Sequence, residues 1–404
     1  MSFETVLSPQ EERIQNEIKG NVKNINRKNR AGEILKKIRS VKPQIDIERG
    51  LYFTQSFKET EGQPFNLRWA KALYHYAKNA TVYIDENQLL VGRSGKKGRY
   101  GILYPELDGN IYDEVIKRMP ERKNSPFDVS SEDMEIIANE ISPYWKGKTF
   151  HESFAKALTE ETTKLTYNND KELTSRYIVN ETASFRSSIQ WVHDYEIVLE
   201  KGFKGIKKDA EERLAELDEY SPIDYTEKKP FLEATIITCD AIILWANRHG
   251  DLAEKLAESE TDAVRKAELE KIAEICHYVP ENPPRTFYEA MQAQWFTQMF
   301  SRIEQKTGTI ISNGRMDQYL YPFYKRDIEN GIITDDEVQE LFECMWVSMA
   351  QFIDLYLSET GGAFNEGYAH WEAVTIGGQT KEGYDAVNEL TYILLNSKRE
   401  FPLN

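Results

Sequence analysis

The sequence is poor in cysteine and in positive charge. Its three cysteines, Cys239, Cys276 and Cys344, are too few and too scattered for a disulfide framework or a CxxC metal site, which fits a reducing cytoplasm. The 51 lysines and arginines are outnumbered by 67 aspartates and glutamates. The resulting net charge of −16 argues against nucleic acid or an anionic membrane as a partner. An anionic small substrate stays open, because it experiences the local field of its pocket.

Long hydrophobic runs are also missing. The longest nearly apolar run, residues 234–246, is interrupted by Thr235, Thr238 and Asp240 and is shorter than the roughly 20 residues of a membrane span. It predicts a buried helix. The first residues lack a basic region followed by an apolar stretch, so no signal peptide is expected and a cytoplasmic location is predicted.

Common catalytic motifs are absent as well, because the sequence contains no P-loop, GxGxxG, HExxH or GxSxG. The histidines show no metal-ligand spacing, and no metal site is predicted. His193 and Asp194 are adjacent, but adjacent residues on a helix point in different directions. We therefore expect each histidine to be structural.

Helical patterns dominate what is present. Thr334 and Glu337 form a capping-box signature before apolar residues at helical spacing, and Thr286 and Glu289 repeat it. Further helices are predicted at residues 10–39, 203–219 and 251–277. Strands are predicted at residues 81–84 and 89–91, around a turn at 85–87, and a buried strand at 371–376, which ends at Gly377-Gly378. Without a repeat or a linker, these patterns favour a single, mainly helical unit with buried strands (α/β).

Arg186 and Gln190 are four residues apart and would share one face of a helix. A guanidinium can bind a sulfonate, carboxylate or phosphate through two parallel hydrogen bonds, and a glutamine amide can serve a further oxygen. The ordinary interpretation of such a pair is a solvated helix face. From the residues alone, both interpretations stay open.

The segment 312–334, which begins Ser-Asn-Gly-Arg-Met-Asp-Gln-Tyr, resembles the pyruvate formate-lyase-like domain of the glycyl radical enzymes. Other segments extend this resemblance over nearly the whole chain: residues 50–54, 68–73, 101–106, 231–244, 284–290 and 363–378. We expect Gly314-Arg315-Met316-Asp317 to be structural rather than catalytic.

The resemblance implies the N-terminal half of the ten-stranded α/β barrel of these enzymes, with residues 1–404 as one domain that is incomplete at its C-terminus. The family's thiyl-forming cysteine, in a Gly-Cys-x-Glu loop, and its glycyl radical loop belong to the second half, and neither motif occurs here. The chain alone is therefore expected to be inactive, with no catalytic residue, no directly bound cofactor and its cysteines in the core. The glycyl radical would be installed by a separate S-adenosylmethionine iron–sulfur activating enzyme. An anaerobic homodimer is implied.

The subfamily is suggested by a departure. Choline- and hydroxyproline-type relatives carry Arg-Ala-Pro-Gly-His or Arg-Thr-Pro-Gly-His where this chain has Phe185-Arg186-Ser187-Ser188-Ile189-Gln190. In this segment the chain resembles the sulfonate-cleaving branch of the family instead. That resemblance implies that Arg186 and Gln190 hold a sulfonate while Trp371 forms an apolar wall. The implied reaction cleaves isethionate (2-hydroxyethanesulfonate) to sulfite and acetaldehyde.

Three alternatives remain open. One is cleavage of dihydroxypropanesulfonate, which differs by a hydroxymethyl group, and another is a diol or choline lyase or dehydratase. A third, of a different class, is a non-catalytic binding or scaffold half-domain. Trp371 could equally be an ordinary core tryptophan.

Overall fold

The computed structural model describes residues 30–93, 98–107, 116–123, 125–162, 191–305, 311–351, 353, 355 and 373–400. The α-helices are α1 (Arg30–Ser40), α2 (Glu48–Glu59), α3 (Phe65–Asn79), α4 (Ser131–Ile136), α5 (Ser142–Trp145), α6 (Phe150–Ala157), α7 (Tyr195–Ala215), α8 (Lys229–Ser259), α9 (Ala263–Tyr278), α10 (Phe287–Glu304), α11 (Met316–Tyr319), α12 (Tyr321–Glu329), α13 (Asp335–Met349) and α14 (Glu389–Glu400). The strands are β1 (Gln44–Asp46), β2 (Tyr100–Ile102), β3 (Trp191–Val192) and β4 (Ile311–Ser312). The prediction of a mainly helical α/β fold is confirmed.

The strands form two parallel pairs in the part of the chain that the structure describes. In the first pair, Ile45 of β1 lies opposite Gly101 of β2. In the second pair, Trp191 of β3 lies opposite Ile311 of β4. Parallel neighbours need a crossover, and here each crossover contains helices, as the parallel arrangement requires.

Helix α10 lies at the centre of the molecule, with 16 of its 18 residues buried. Its polar side chains are satisfied by the segments around it. Gln292 donates to the carbonyl of Val91 over 2.7 Å and accepts from the Val91 N–H over 3.0 Å. The indole Nε1 of Trp295 donates to the carbonyl of Gly92 over 3.0 Å. These bonds let a helix with many polar residues occupy the core.

The predicted strands at 81–84 and 89–91 are wrong, although the turn between them is present at Glu86 and Asn87. Both segments run as irregular chain. The physical reason is visible at residues 89–92, where side chains of α10 take the backbone hydrogen bonds that a neighbouring strand would otherwise provide. The hydroxyl of Tyr288 adds a bond of 2.6 Å to the Leu89 carbonyl.

Two other predicted elements need correction. Of the strand at 371–376, only residues 373–376 are described, and these form a single bridge from Val374 to Gly314 while remaining exposed or half-buried. The helix predicted at 251–277 is two helices. The carboxylate of Asp262 accepts from the N–H groups of Val264 and Arg265, each over 2.9 Å, and so caps a new helix.

The predicted helix starts at Thr334 and Thr286 are confirmed. Thr334 and Glu337 form the complete reciprocal capping box. Thr286 accepts from the Glu289 N–H over 3.2 Å, but the Glu289 carboxylate accepts from the N–H of Arg285 instead. The N-terminus of α10 therefore begins with half a capping box and a carboxylate that holds the preceding residue.

Arg49 fastens α2 to the C-terminal end of α10. Its guanidinium binds Glu106 through two bonds of 3.0 and 2.8 Å, and it donates to the last carbonyls of α10, at Ile303 and Glu304. The guanidinium also lies 3.8 Å from the ring centre of Phe53. Arg49 directly precedes the resemblance segment at residues 50–54, and Glu106 ends the one at residues 101–106. Their pairing uses both side chains to hold the fold together.

The predicted buried helix at 234–246 is confirmed as part of α8, which packs on α3, α7 and α9. By length and composition the helical stretch Asp224–Ser259 could cross a membrane, and 44% of its most apolar window is buried inside the fold. One such stretch is weak evidence of a span, since the core helix of a globular fold passes the same test.

Candidate functional site

The predicted substrate-binding residues Arg186, Gln190 and Trp371 lie outside the described residues. The structure does describe the segments that follow Gln190 and Trp371 in the sequence. Trp191, directly after Gln190, opens β3, and Ala373 stands two residues after Trp371. The positions of β3 and of the segment that begins at Ala373 therefore bear on the site.

Both segments pair with one stretch of chain, residues 311–314. β3 pairs with β4 in parallel, so that Val192 lies opposite Ser312. On the other segment, the N–H of Ala373 donates to Oγ of Ser312 over 3.1 Å, and the N–H of Thr375 donates to the Gly314 carbonyl over 3.0 Å. Two segments that are far apart in sequence thus meet at β4.

A ladder of buried amides holds β4 to the central helix. Gln298 donates from Nε2 to the Ile311 carbonyl over 2.9 Å, and its Oε1 accepts from Asn313 over 2.8 Å. Gln294, one turn earlier, donates to the same Oε1 over 3.2 Å. Oε1 of Gln294 is buried and has no hydrogen-bond partner among the described residues. A buried acceptor in this state costs free energy, which a ligand's hydroxyl or amine could recover.

We call β3, residues 311–314 and residues 373–376 the wall at β4. The residues that follow β3, His193 to Tyr195, complete it. Asp194 caps α7 by accepting from the Ile197 N–H over 3.2 Å, and the His193 ring lies edge-on to the Tyr195 ring with 5.7 Å between ring centres. Burial lowers the pKa of His193 to about 4, which keeps the imidazole neutral at physiological pH. The hydroxyl of Tyr195 donates to the carbonyl of Ser312 over 3.3 Å.

On the far side of β4, Arg315 and Asp317 bind backbone rather than solvent. Arg315 donates to the carbonyl of Gly377 over 2.5 Å and to that of Gln379 over 3.1 Å. Asp317 accepts from the Gly377 N–H over 2.6 Å. These contacts support the structural interpretation of Gly314–Asp317, because both side chains are used to fix the paired glycines, Gly377 and Gly378.

Sequence reasoning missed the amides of Gln294, Gln298 and Asn313. A signal was available, since Gln294 and Gln298 are four residues apart and therefore share one face of the predicted helix. The prediction followed the apolar face of that helix at residues 290, 293, 296 and 300 and left its polar face without a role.

The three cysteines are buried in helices, as predicted. Burial raises the pKa of the Cys239 thiol to about 12, and it raises the pKa of Cys276 and Cys344 further. A thiol in that environment is neither a nucleophile nor a metal ligand at neutral pH. None of the three lies in the wall around β4.

A cavity of about 780 Å³ opens among α3, α7, α8 and the end of α10. Its described lining is mainly aromatic and aliphatic, and it includes Glu106 and Glu304 but no basic residue. Burial raises the pKa of Glu304, against the opposing effects of Arg49 and of a hydrogen bond from Trp69. The cavity shares no lining residue with the wall at β4, and its acidic side fits an anionic substrate poorly.

Comparison with known proteins points to one family. The pyruvate formate lyase-like family matches residues 21–404. The isethionate sulfite-lyase of Nitratidesulfovibrio vulgaris is 62% identical over 399 residues, which cover 98% of this chain and 48% of that protein. The trans-4-hydroxy-L-proline dehydratase of Clostridioides difficile is 33% identical and aligns with 90% of this chain and 45% of its own. The chain spans about half the length of the curated relatives it matches.

The fold gives the same result. One solved structure concerns 1,2-propanediol dehydration in Roseburia inulinivorans. It superposes on this chain with a TM-score of 0.85 at 32% identity, and the match covers 93% of this chain and 46% of that one. The fold of this chain is therefore shared with known glycyl radical enzymes.

Proposed function

Because the chain belongs to the pyruvate formate lyase-like family, the glycyl radical enzymes, we propose that it forms the N-terminal, substrate-holding half of a carbon–sulfur lyase that cleaves isethionate to sulfite and acetaldehyde. The observation that carries the proposal is the difference in identity between two kinds of relative. The isethionate sulfite-lyase is almost twice as similar to this chain as the hydroxyproline dehydratase, over nearly the same residues.

Arg186, Gln190 and Trp371 are the proposed substrate-binding residues. The support is the arrangement around them, since the chain after Gln190 and the chain after Trp371 both pair with residues 311–314. A guanidinium fork matches two sulfonate oxygens, and the amide of Gln190 would donate to the third. Trp371 would supply an apolar wall that excludes water from a small anion.

The buried amide ladder is proposed to give this site its rigidity. Gln298 and Asn313 hold β4 against α10 without any exposed polar group, so that the positions of the paired segments are fixed before substrate binds. Hydrogen transfer needs reacting atoms within a narrow range of distance and angle. Oε1 of Gln294, for which the described part of the chain offers no hydrogen-bond partner, is a candidate acceptor for the substrate hydroxyl.

The remaining parts of the enzyme are proposed to lie outside residues 1–404. The three cysteines of this chain are buried and strongly disfavour ionisation, and none lies in a Gly-Cys-x-Glu sequence. When present, the glycyl radical and its cysteine partner supply hydrogen abstraction from the substrate. A separate S-adenosylmethionine iron–sulfur enzyme would install the radical, and a homodimer in an anaerobic cytoplasm is the proposed setting.

The first experiment is to read the coding sequence beyond Asn404. We expect a Gly-Cys-x-Glu loop followed by an Arg-Val-x-Gly-Tyr segment. The protein encoded by that longer sequence should then be activated anaerobically and supplied with isethionate or dihydroxypropanesulfonate. Release of sulfite from isethionate supports the proposal, and preferential release from dihydroxypropanesulfonate would favour the related sulfonate lyase.

Two outcomes contradict the proposal that this protein is a radical carbon–sulfur lyase. One is a stop codon directly after Asn404, which would favour a binding or scaffold half-domain. The other is an activated, radical-bearing protein that releases no sulfite but dehydrates a diol. Residues 1–404 alone are expected to release no sulfite under any condition, because they lack the radical residues.

A further inference from the structure

A histidine and two carboxylates converge where α8 packs against α9. Asp251 and Glu254 lie three residues apart on one face of α8, and His277 reaches them from the last turn of α9. Nε2 of His277 is 3.7 Å from Oδ1 of Asp251 and 3.4 Å from Oε1 of Glu254. The three ligand atoms lie within 4.8 Å of one another.

The orientation of the His277 ring is fixed by residues that are not themselves among these three. Nδ1 lies 3.1 Å from Oδ1 of Asn247, one turn before Asp251 on α8. The amide oxygen accepts the Nδ1 proton, so in the neutral ring the lone pair is on Nε2, which faces the carboxylates. The ring rests on Gly250, where any Cβ would come within 2.7 Å of it.

With the imidazole neutral, this arrangement is repulsive unless a cation lies among the three groups. A nitrogen lone pair and two carboxylates face each other, at the negative end of the α9 dipole. No lysine or arginine of the described residues forms an ion pair with Asp251 or Glu254. Arg248, three residues before Asp251 on α8, interacts with the Asp251 charge at longer range but donates its hydrogen bond to the carbonyl of Ala77 over 2.7 Å.

We propose that Asp251, Glu254 and His277 bind a divalent transition-metal ion of the Zn²⁺ class. Zn²⁺ takes imidazole nitrogen and carboxylate oxygen at roughly 2.0–2.2 Å, which separates neighbouring ligand atoms of a tetrahedral site by roughly 3.4 Å. The nitrogen–oxygen distances found here are close to that value. The carboxylates are largely exposed and the ring is one-third exposed, so an ion can enter from solvent and keep water in its remaining position.

Such an ion would fasten the C-terminal part of α8 to the C-terminal turn of α9. It would be a structural site, because none of its residues lies in the wall at β4 or lines the cavity beside α3. The proposal does not depend on the proposed lyase activity. It rests on the geometry of two helices that are fully described.

The test is a calorimetric titration of ZnCl₂ into the 404-residue chain after removal of bound metal by chelation. We expect about one ion per chain, with binding lost in His277→Ala and weakened roughly tenfold in Asn247→Ala, which removes only the group that orients the ring. Glu216→Gln, which removes an exposed carboxylate at the end of α7, is the matched control and should bind as the unaltered chain does.

Circular dichroism of each variant checks that the helices persist, which the exposure of His277 leads us to expect. If the unaltered chain takes up no Zn²⁺, the proposal is wrong. Equal uptake by the unaltered chain and by His277→Ala would also overturn it, because the ion would then be held elsewhere. A thermal transition that rises with Zn²⁺ in the unaltered chain but not in His277→Ala would support it independently.

Discussion

The backbone N–H of Gly377 donates to Oδ2 of Asp317 over 2.6 Å, which places the paired glycines against α11. The same oxygen accepts from the hydroxyl of Thr391 over 2.6 Å. Asp317 is fully buried, and its position before α12 connects β4, the glycine pair and α14. A single carboxylate therefore fixes the chain that comes after the predicted site residue Trp371.

Replacing Asp317 by alanine should lower the free energy of unfolding by about 3 kcal/mol, because it leaves the Gly377 N–H and the Thr391 hydroxyl without their acceptor. Urea denaturation of the 404-residue chain measures the loss. Asp385→Ala is the control, since among the described residues the exposed Asp385 side chain accepts from the Val387 N–H alone, over 3.0 Å. A similar loss in both variants would contradict the role given to Asp317.

Gly314 and Gly331 allow the two costs of replacing a glycine to be measured separately: the strain of a left-handed backbone and the steric clash of a Cβ. Gly314 and Gly331 both have a φ of 65°, but a Cβ on Gly314 would come within 2.7 Å of Cγ1 of Val192, whereas nothing lies within 4 Å at Gly331. Each alanine variant should lose about 1 kcal/mol to the left-handed backbone. Gly314→Ala should lose a further ~1–2 kcal/mol by displacing β3.

The double variant Gly314→Ala with Val192→Ala checks the steric part of that prediction. Removing Cγ1 of Val192 should restore most of the additional stability that Gly314→Ala loses. The free-energy changes of the two substitutions should therefore be non-additive in thermal or urea denaturation. If the effects of the two changes simply add, Val192 does not limit residue 314.

Arg49→Lys should destabilise the chain by roughly 2–4 kcal/mol, because one ammonium cannot replace a fork that binds Glu106 and two carbonyls of α10. The matched control is Arg213→Lys, an exposed arginine in the last turn of α7. Thermal denaturation of both variants gives the comparison. Equal transitions would show that charge alone matters at residue 49.

His249 predicts an acid-dependent loss of stability. Burial lowers its pKa to about 4, from an ordinary value of 6.5. The unfolded chain therefore binds a proton that the folded chain excludes as pH falls below 6.5. Stability is fully present above that pH and is lost between 6.5 and 4, by up to about 3 kcal/mol.

His249→Leu should flatten this pH dependence. Urea denaturation at pH 7 and pH 5 gives the slope for each protein. His193, whose pKa is lowered in the same way, should retain its own contribution in the variant. An unchanged slope in His249→Leu would mean that His249 takes up its proton in the folded chain.

Arg186→Lys keeps the charge but removes the planar fork, so it should weaken isethionate binding by about 2 kcal/mol in the activated, longer protein. Gln190→Ala should lose less, because a neutral amide contributes a single hydrogen bond. Steady-state sulfite release measures both, with Arg213→Lys as the control. Normal isethionate binding in Arg186→Lys would remove the clamp from the proposal.

Several features arise from local sequence. The capping box at Thr334, the helix start at Thr286 and the buried helix at residues 234–246 depend on contacts within a few residues, and such patterns are readable without tertiary structure. The family resemblance added the fold. Arg186, Gln190 and Trp371 remain predictions, because the described residues reach only their neighbours.

The sequence by itself determined where α10 and α13 begin, which residues form their apolar faces and to which family the chain belongs. Only the tertiary structure decided that residues 89–92 are held by α10 instead of a strand, that Gln298 and Asn313 fix β4, and that His277 meets Asp251 and Glu254. The physical reason is the separation in sequence between the groups that interact. Caps and helical periodicity are set by neighbours along the chain, whereas a buried amide or a histidine between two helices acquires its role from groups that folding brings to it.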